Sequence, residues 1–238
     1  MKHKIVIFLC VIISNITFSQ TKTDFFDQAN EFFKDNVTLD GKVKYAAFKK
    51  SPGELMYILN NIEKLKLDNE EKDTKIAFWI NAYNLLVIRN VIENYPLKSV
   101  KFVTGFFEKK FQIADNEYSL NEIEELLSIL MKDPGLHFVL ANGTNGGNRL
   151  LNSAYLPETV MYQVSYQLKS SINKSGFIKV NKDTKSVELP LIFETHKSDF
   201  VTQYYNQIDF LNVFLDKKID NKSAINFTKF DWSLNEIN

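Results

Sequence analysis

Residues 75–96, KIAFWINAYNLLVIRNVIENYP, are apolar on nearly every side of a helical projection until Tyr95-Pro96 ends them. A surface helix carries one apolar stripe, whereas a helix that is apolar all round has to be enclosed by other elements. The residue before a proline is pushed out of the α region, which places the end of this helix at Tyr95. The rest of the chain is therefore expected to wrap around a buried central helix. With 238 residues, 45% of them hydrophobic and twenty of them phenylalanine, it has the apolar material to do so.

The flanking elements read as follows. In DFFDQANEFFKD, Phe25, Phe26, Ala29, Phe32 and Phe33 recur at helical spacing. Ser51-Pro52 opens a second helix with Pro at its first position and a stripe of Leu55, Ile58, Leu59 and Ile62. Lys101–Val103 reads as a short strand, and Lys110–Ala114 with Glu117–Ser119 as a hairpin around Asp115-Asn116. Ser119-Leu-Asn-Glu122 is a capping box that opens a helix to about Met131. Phe138–Ala141, too short for a helix, is expected as a buried strand. Pro157 opens a helix to about Ile172, and Phe177–Val180 pairs with Ser186–Leu189 in a second hairpin. Two short helices and a final segment, Phe227–Leu234, follow. This alternation predicts an α+β fold: one mainly helical domain, residues 20–238, with a buried central helix and short antiparallel strands and hairpins.

The first residues, MKHKIVIFLCVIISNITFSQ, read as a signal peptide over 1–19: a basic start, a short apolar run, and Thr17 and Ser19 before a cut at Gln20. Ser14 and Asn15 end the apolar run well short of the roughly 18 residues that an anchor needs. The protein is thus expected to be secreted across the inner membrane, to the periplasm or the exterior, with no membrane span after cleavage. Mass spectrometry on protein from its native host should find Gln20 as the first residue; an intact Met1 or a lipidated Cys10 overturns this. Cleavage also removes the one cysteine, and with it any disulfide or thiol chemistry. Loss of Lys2 and Lys4 takes 29 basic residues to 27 against 29 acidic, a net charge near −2 that argues against nucleic acid as a partner.

The densest candidate site is HFVLANGTNGGNRL, which holds three of the eight glycines (Gly143, Gly146, Gly147) and one of two arginines. Such a loop can offer backbone N–H groups and the fork of Arg149 to an anion. It lacks the Gly-Lys-Ser/Thr ending of a Walker loop, and its plain reading is an exposed turn. His137 opens the expected strand; a histidine so placed commonly bonds to backbone, and no second histidine or cysteine stands at ligand spacing from it. No metal ligand set and no cofactor are therefore expected. His196, among charges in FETHKSDF, is expected at the surface. Asn81 and Asn84, on one helix face beside Trp79 and Tyr83, either knit the core or point into a pocket. Arg89 and Glu93 can pair at i, i+4. Glu122 suits the helix start; Glu124 and Glu125 have solvent exposure as their simplest account.

Six blocks in order carry a resemblance: FWINAYN (Phe78–Asn84), YPLKSV (Tyr95–Val100), SLNEIE (Ser119–Glu124), DPGLHFVL (Asp133–Leu140), LPLIFETHKSDF (Leu189–Phe200) and FDWSLN (Phe230–Asn235). From about Tyr45 onward the chain resembles the domain-of-unknown-function 547 family. That resemblance implies a commonly secreted or membrane-associated domain whose activity is not settled. The family pattern after HFVL is close to N-C-x-x-x-S-C-P-P-L, so Asn142 and Gly147 stand in the places of its two cysteines, and Glu125 stands where a histidine is frequent. Trp79, Asn81, Tyr83, Asn84, Glu124, His137, Asp231 and Trp232 match the pattern. Asparagine and glycine cannot supply a thiolate.

Two readings of function follow. One is a non-thiol binding or structural protein whose pocket is lined by His137, Glu124, Asn142, Arg149, Trp79, Asn81 and the loop glycines. Its partner would be a small molecule or a periplasmic or extracellular protein. The other is a hydrolase-like enzyme in which His137 and Glu124 act with a bound water and the loop amides form an oxyanion site. Contact between His137 and Glu124, direct or through one water, separates the two.

Overall fold

The computed structural model describes residues 24–202 and 204–237; the expected signal peptide lies outside them. Helix α1 covers residues 24–36, α2 Tyr45–Lys50 and α3 Gly53–Ile62, and these lead into α4, Lys72–Glu93. Every residue of α4 from Ile76 to Ile92 is buried except Arg89, and Arg89 turns outward to pair with Glu93 at 2.9 Å. The enclosure comes from α2, α3, α5 (Leu120–Met131) and α6 (Val160–Ile172), all packed on α4. Phe25 of α1 joins it with its ring 5.1 Å from that of Phe78. Among the described residues no helix is long and apolar enough to cross a membrane.

The strands are short. β1 (Lys110–Ile113) and β2 (Asn116–Ser119) form the first hairpin, with Ala114 and Asp115 at positive φ as its two turn residues. That places the turn one residue earlier than Asp115-Asn116. β3 (Lys179–Asn181) and β4 (Ser186–Leu189) form the second, and β5 (Ala224–Phe227) adds to β4 in parallel, a pairing that no local signal announces. The fold is α+β and mainly helical.

Two expected strands are absent. Val100–Phe102 is a single 3-10 turn, begun by Ser99 Oγ accepting from Lys101 N. Pro134–Phe138 is another 3-10 turn, begun by Asp133 accepting from Gly135 N, and Val139–Ala141 continues as buried irregular chain. The apolar run predicted burial correctly and backbone form wrongly. Side-chain amides do there what a neighbouring strand would have done. Asn84 donates to Val139 O at 3.0 Å and accepts from Ala141 N at 2.9 Å, and Asn148 donates to Leu140 O at 2.9 Å. Buried backbone polar groups need partners, but not strand partners.

Apolar side chains form two clusters. The larger surrounds α4; the smaller joins Phe138, Leu168 and Val187 to Phe193 and Phe200 and to α9 (Gln207–Phe214). Leu136 and Val139 belong to the first cluster and Phe138 to the second, so the segment carrying His137 lies where the two meet.

Candidate functional site

Three elements deliver one cluster of side chains to that seam. The capping box forms as the sequence predicts: Ser119 Oγ accepts from Glu122 N at 3.2 Å and Glu122 returns to Ser119 N at 2.7 Å. This fixes the start of α5 and sets Glu124 in its first turns facing inward. His137 comes from the turn after Asp133, and its residue is 6% exposed. His196 sits at the junction of α7 (Ile192–Thr195) and α8 (Lys197–Val201), and Asp199 follows it in α8.

The geometry is close. His137 Nε2 lies 2.7 Å from Asp199 Oδ2, and His137 Nδ1 lies 3.6 Å from Glu124 Oε1. His196 Nε2 is 4.0 Å from the same glutamate oxygen, and the two imidazole centroids are 3.9 Å apart. One glutamate oxygen and one nitrogen of each histidine fall within 4.8 Å of one another. Burial and then the His137 charge hold the His196 imidazole below the usual histidine range, against the opposing pull of Glu124 and Asp199. Burial works upward on the Asp199 carboxyl, but the hydrogen bond and charge of His137 outweigh it and leave the group below its ordinary value. Asp199 is therefore an acceptor, and His137 Nε2 donates to it.

A cleft of about 230 Å³ opens onto this cluster. Its polar wall is Glu124, His137, His196, Tyr83, Asn142, Asn148 and Thr195; Leu140, Phe177, Leu191, Ile192, Phe230 and Trp232 make up the apolar part. Burial, and secondarily the charge of Glu124, pushes the Tyr83 phenol far up, so it stays a donor. Trp232 is 38% exposed at the rim, its ring 4.6 Å from Phe230.

Several expected site residues lie elsewhere. Arg149 donates to Leu39 O and Gln167 Oε1, both at 3.2 Å, which occupies its fork. Asn81 donates to Tyr155 O at 2.7 Å and accepts from Tyr155 N at 2.9 Å, the core-knitting role. Trp79 is buried against Phe78 and Tyr118. Gly143 packs on Val87, Val91 and Val100. Of the binding candidates Asn142, Gly146 and Gly147 do line the cleft, with His137 and Glu124.

Four of the loop amides, from Thr144 to Gly147, are committed to other groups. Gly146 N donates to Asp231 O and Asn145 N to Ser233 O, both at 2.8 Å, while Gly147 N donates to Thr144 Oγ1 and Thr144 N to Asn142 Oδ1. The C-terminal segment thus zips the loop shut. That contact is why Gly146 has no side chain: a Cβ there would meet Asp231 N at 2.6 Å.

His196 and Asp199 are the residues that sequence reasoning missed. His196 lines the cleft instead of standing free at the surface, and His137 bonds to a carboxylate instead of to backbone. Chain folding brings Glu124, His137 and His196 together although no sequence spacing does so.

Asn142 and Gly147, which the resemblance aligns with two cysteines, are in contact. A Cβ at residue 147 would lie 2.7 Å from Asn142 Cγ, close to the ~3 Å that separates a Cβ from the far sulfur of a disulfide. The variant N142C/G147C should therefore close a disulfide in air, seen as loss of both thiols to a maleimide probe in the unfolded protein. Two freely titrating thiols would show that the loop holds these positions apart.

Residues 67–171 match the family described as "Protein of unknown function, DUF547", so the resemblance holds over the segment with the FWINAYN, SLNEIE and HFVL blocks. Glu124 and His137 fall inside the match; His196, Asp199 and Trp232 fall beyond it. No curated protein and no solved structure matches the chain.

Proposed function

We propose that the protein is a hydrolase-type enzyme acting on a small, largely apolar carbonyl compound in this cleft. One observation carries the reading: Glu124, His137 and His196, from three separate elements, converge on one point of an apolar cleft, with His137 held from behind by Asp199. The 3.6 Å between His137 Nδ1 and Glu124 Oε1 is longer than a direct hydrogen bond and supports the reading only in that one water can reach both atoms. A water held between the carboxylate and the imidazoles is oriented toward a carbonyl lying along Phe230 and Trp232. The Tyr83 hydroxyl, which hydrogen-bonds no other group among the described residues, is the donor facing the developing oxyanion. We place this activity outside the cytoplasm, on the strength of the basic-apolar-small pattern of residues 1–19.

The test is hydrolysis of p-nitrophenyl acetate and butyrate. Turnover should fall about a hundredfold or more in Glu124→Gln and His196→Ala, with circular dichroism unchanged. Equal rates in wild type and both variants would leave only adventitious surface catalysis and end the proposal. The half-exposed Phe230–Trp232 pair supports a second reading, capture of a ligand without chemistry. Saturable quenching of Trp232 by an aromatic ester that is then recovered intact would favour it.

A further inference from the structure

We propose that Glu124, His137 and His196 hold a divalent zinc-class cation through one glutamate oxygen, His137 Nδ1 and His196 Nε2, with its open coordination position in the cleft. The inference deepens the hydrolase reading, on which it rests for the role of that open position.

The tautomer of His137 is the first support. Asp199 accepts a hydrogen bond from Nε2 at 2.7 Å, so Nδ1, 3.6 Å from Glu124 Oε1, is the ring nitrogen left to give its lone pair to an incoming ion. The separation is beyond the ~2.7–3.2 Å of an N–H···O bond. It suits two ligands of one ion, which at about 2.0–2.2 Å each stand roughly 3–3.6 Å apart. His196 Nε2, 4.0 Å from the same oxygen, supplies a third ligand.

The surroundings are those of a metal site that does chemistry. Ligating histidines characteristically give their other ring N–H to a carboxylate, which fixes the ring and raises its basicity; Asp199 does this for His137. Two imidazoles and a carboxylate are a ligand set of catalytic zinc, which keeps a fourth position for water or substrate. Here that position faces the 230 Å³ cleft and the Tyr83 hydroxyl. A cation would also supply the oxyanion stabilisation that the four committed amides from Thr144 to Gly147 do not. Both histidines of the described chain are in the cluster, so nothing else there competes through imidazole.

The test is calorimetric titration of untagged, chelator-stripped protein with zinc chloride, repeated with cobalt chloride while visible d–d absorption is followed. One equivalent should bind. Affinity should fall by at least about tenfold in Glu124→Gln and His196→Ala, and by about 10–100-fold in Asp199→Asn with the stoichiometry kept. Glu125→Gln, an exposed carboxylate on the same helix, should bind as wild type, and thermal melts would confirm that each variant folds. Absence of stoichiometric binding, or equal binding by the Glu124 and His196 variants, overturns the inference. Ester turnover that survives exhaustive chelation would also overturn it while leaving the hydrolase reading intact. Stoichiometric zinc binding without turnover of any ester would uphold the site and sink the hydrolase reading.

Discussion

Trp79→Ala should cost about 3–5 kcal/mol of folding stability, the usual penalty for emptying a buried indole site. Trp79 is 4% exposed and wedged edge-on between two rings, Phe78 at 5.2 Å and Tyr118 at 4.8 Å. It thereby ties the central helix to the first hairpin, and the void left by alanine lies between elements that cannot close on it without moving β2. Domains of this size are stable by about 5–15 kcal/mol, so the loss is a large fraction of the total. Urea denaturation followed by circular dichroism reads the effect as a fall in midpoint at unchanged slope. Trp79→Phe, which keeps an aromatic ring in place, should lose well under half as much. A midpoint for Trp79→Ala near wild type would mean that the indole packs against little, and would return Trp79 to the list of ligand-contacting residues.

The contrast between Trp79 and His196 marks what the sequence makes legible. The burial of α4 is written in twenty-odd consecutive residues, and the capping box at Ser119 and the two hairpins in four or five. Each is a local signal, read by counting along the chain. Glu124, His137 and His196 are close only because α5, the Asp133 turn and the α7–α8 junction are packed together. No spacing template covers separations of that kind. His196 in particular looks like a surface residue because its neighbours in sequence are charged, while its neighbours in space are His137 and the cleft. The glycine loop misleads in the opposite sense. Its composition suggests free amides, but whether an amide is free depends on a partner, and here the partner is the C-terminal segment from Asp231 to Asn235. Phe138–Ala141 shows the same limit for backbone form: an apolar run announces burial, and distant amides decide whether that burial is strand or coil.

That last case gives the second large effect. Asn84→Ala should destabilise the protein by about 2–5 kcal/mol, although it deletes only a small polar group. Asn84 is 2% exposed, and its amide closes a two-bond ring on Val139 O and Ala141 N. Both groups lie in a buried stretch without strand partners, so the truncation strands a carbonyl and an N–H away from water. Each stranded group costs about 1–3 kcal/mol, more than a hydrogen bond ordinarily contributes. Asn84→Asp sharpens the test, since it keeps the shape but turns the donor that faces Val139 O into an acceptor. It should destabilise at least as much as alanine. The effect should also be local: hydrogen exchange at Ala141 N should accelerate more than exchange elsewhere in the core. Asn81→Ala is the matched comparison, because Asn81 makes the same two-bond ring on Tyr155. It should lose comparable stability and leave the relative protection of Ala141 unchanged. Because the Val139–Ala141 stretch joins His137 to Asn142, loosening it should also reduce zinc affinity in the Asn84 variants more than in the Asn81 variant. Wild-type stability in Asn84→Ala, with Ala141 still protected, would mean that water enters to satisfy the backbone. The cleft would then be supported by something other than this clasp.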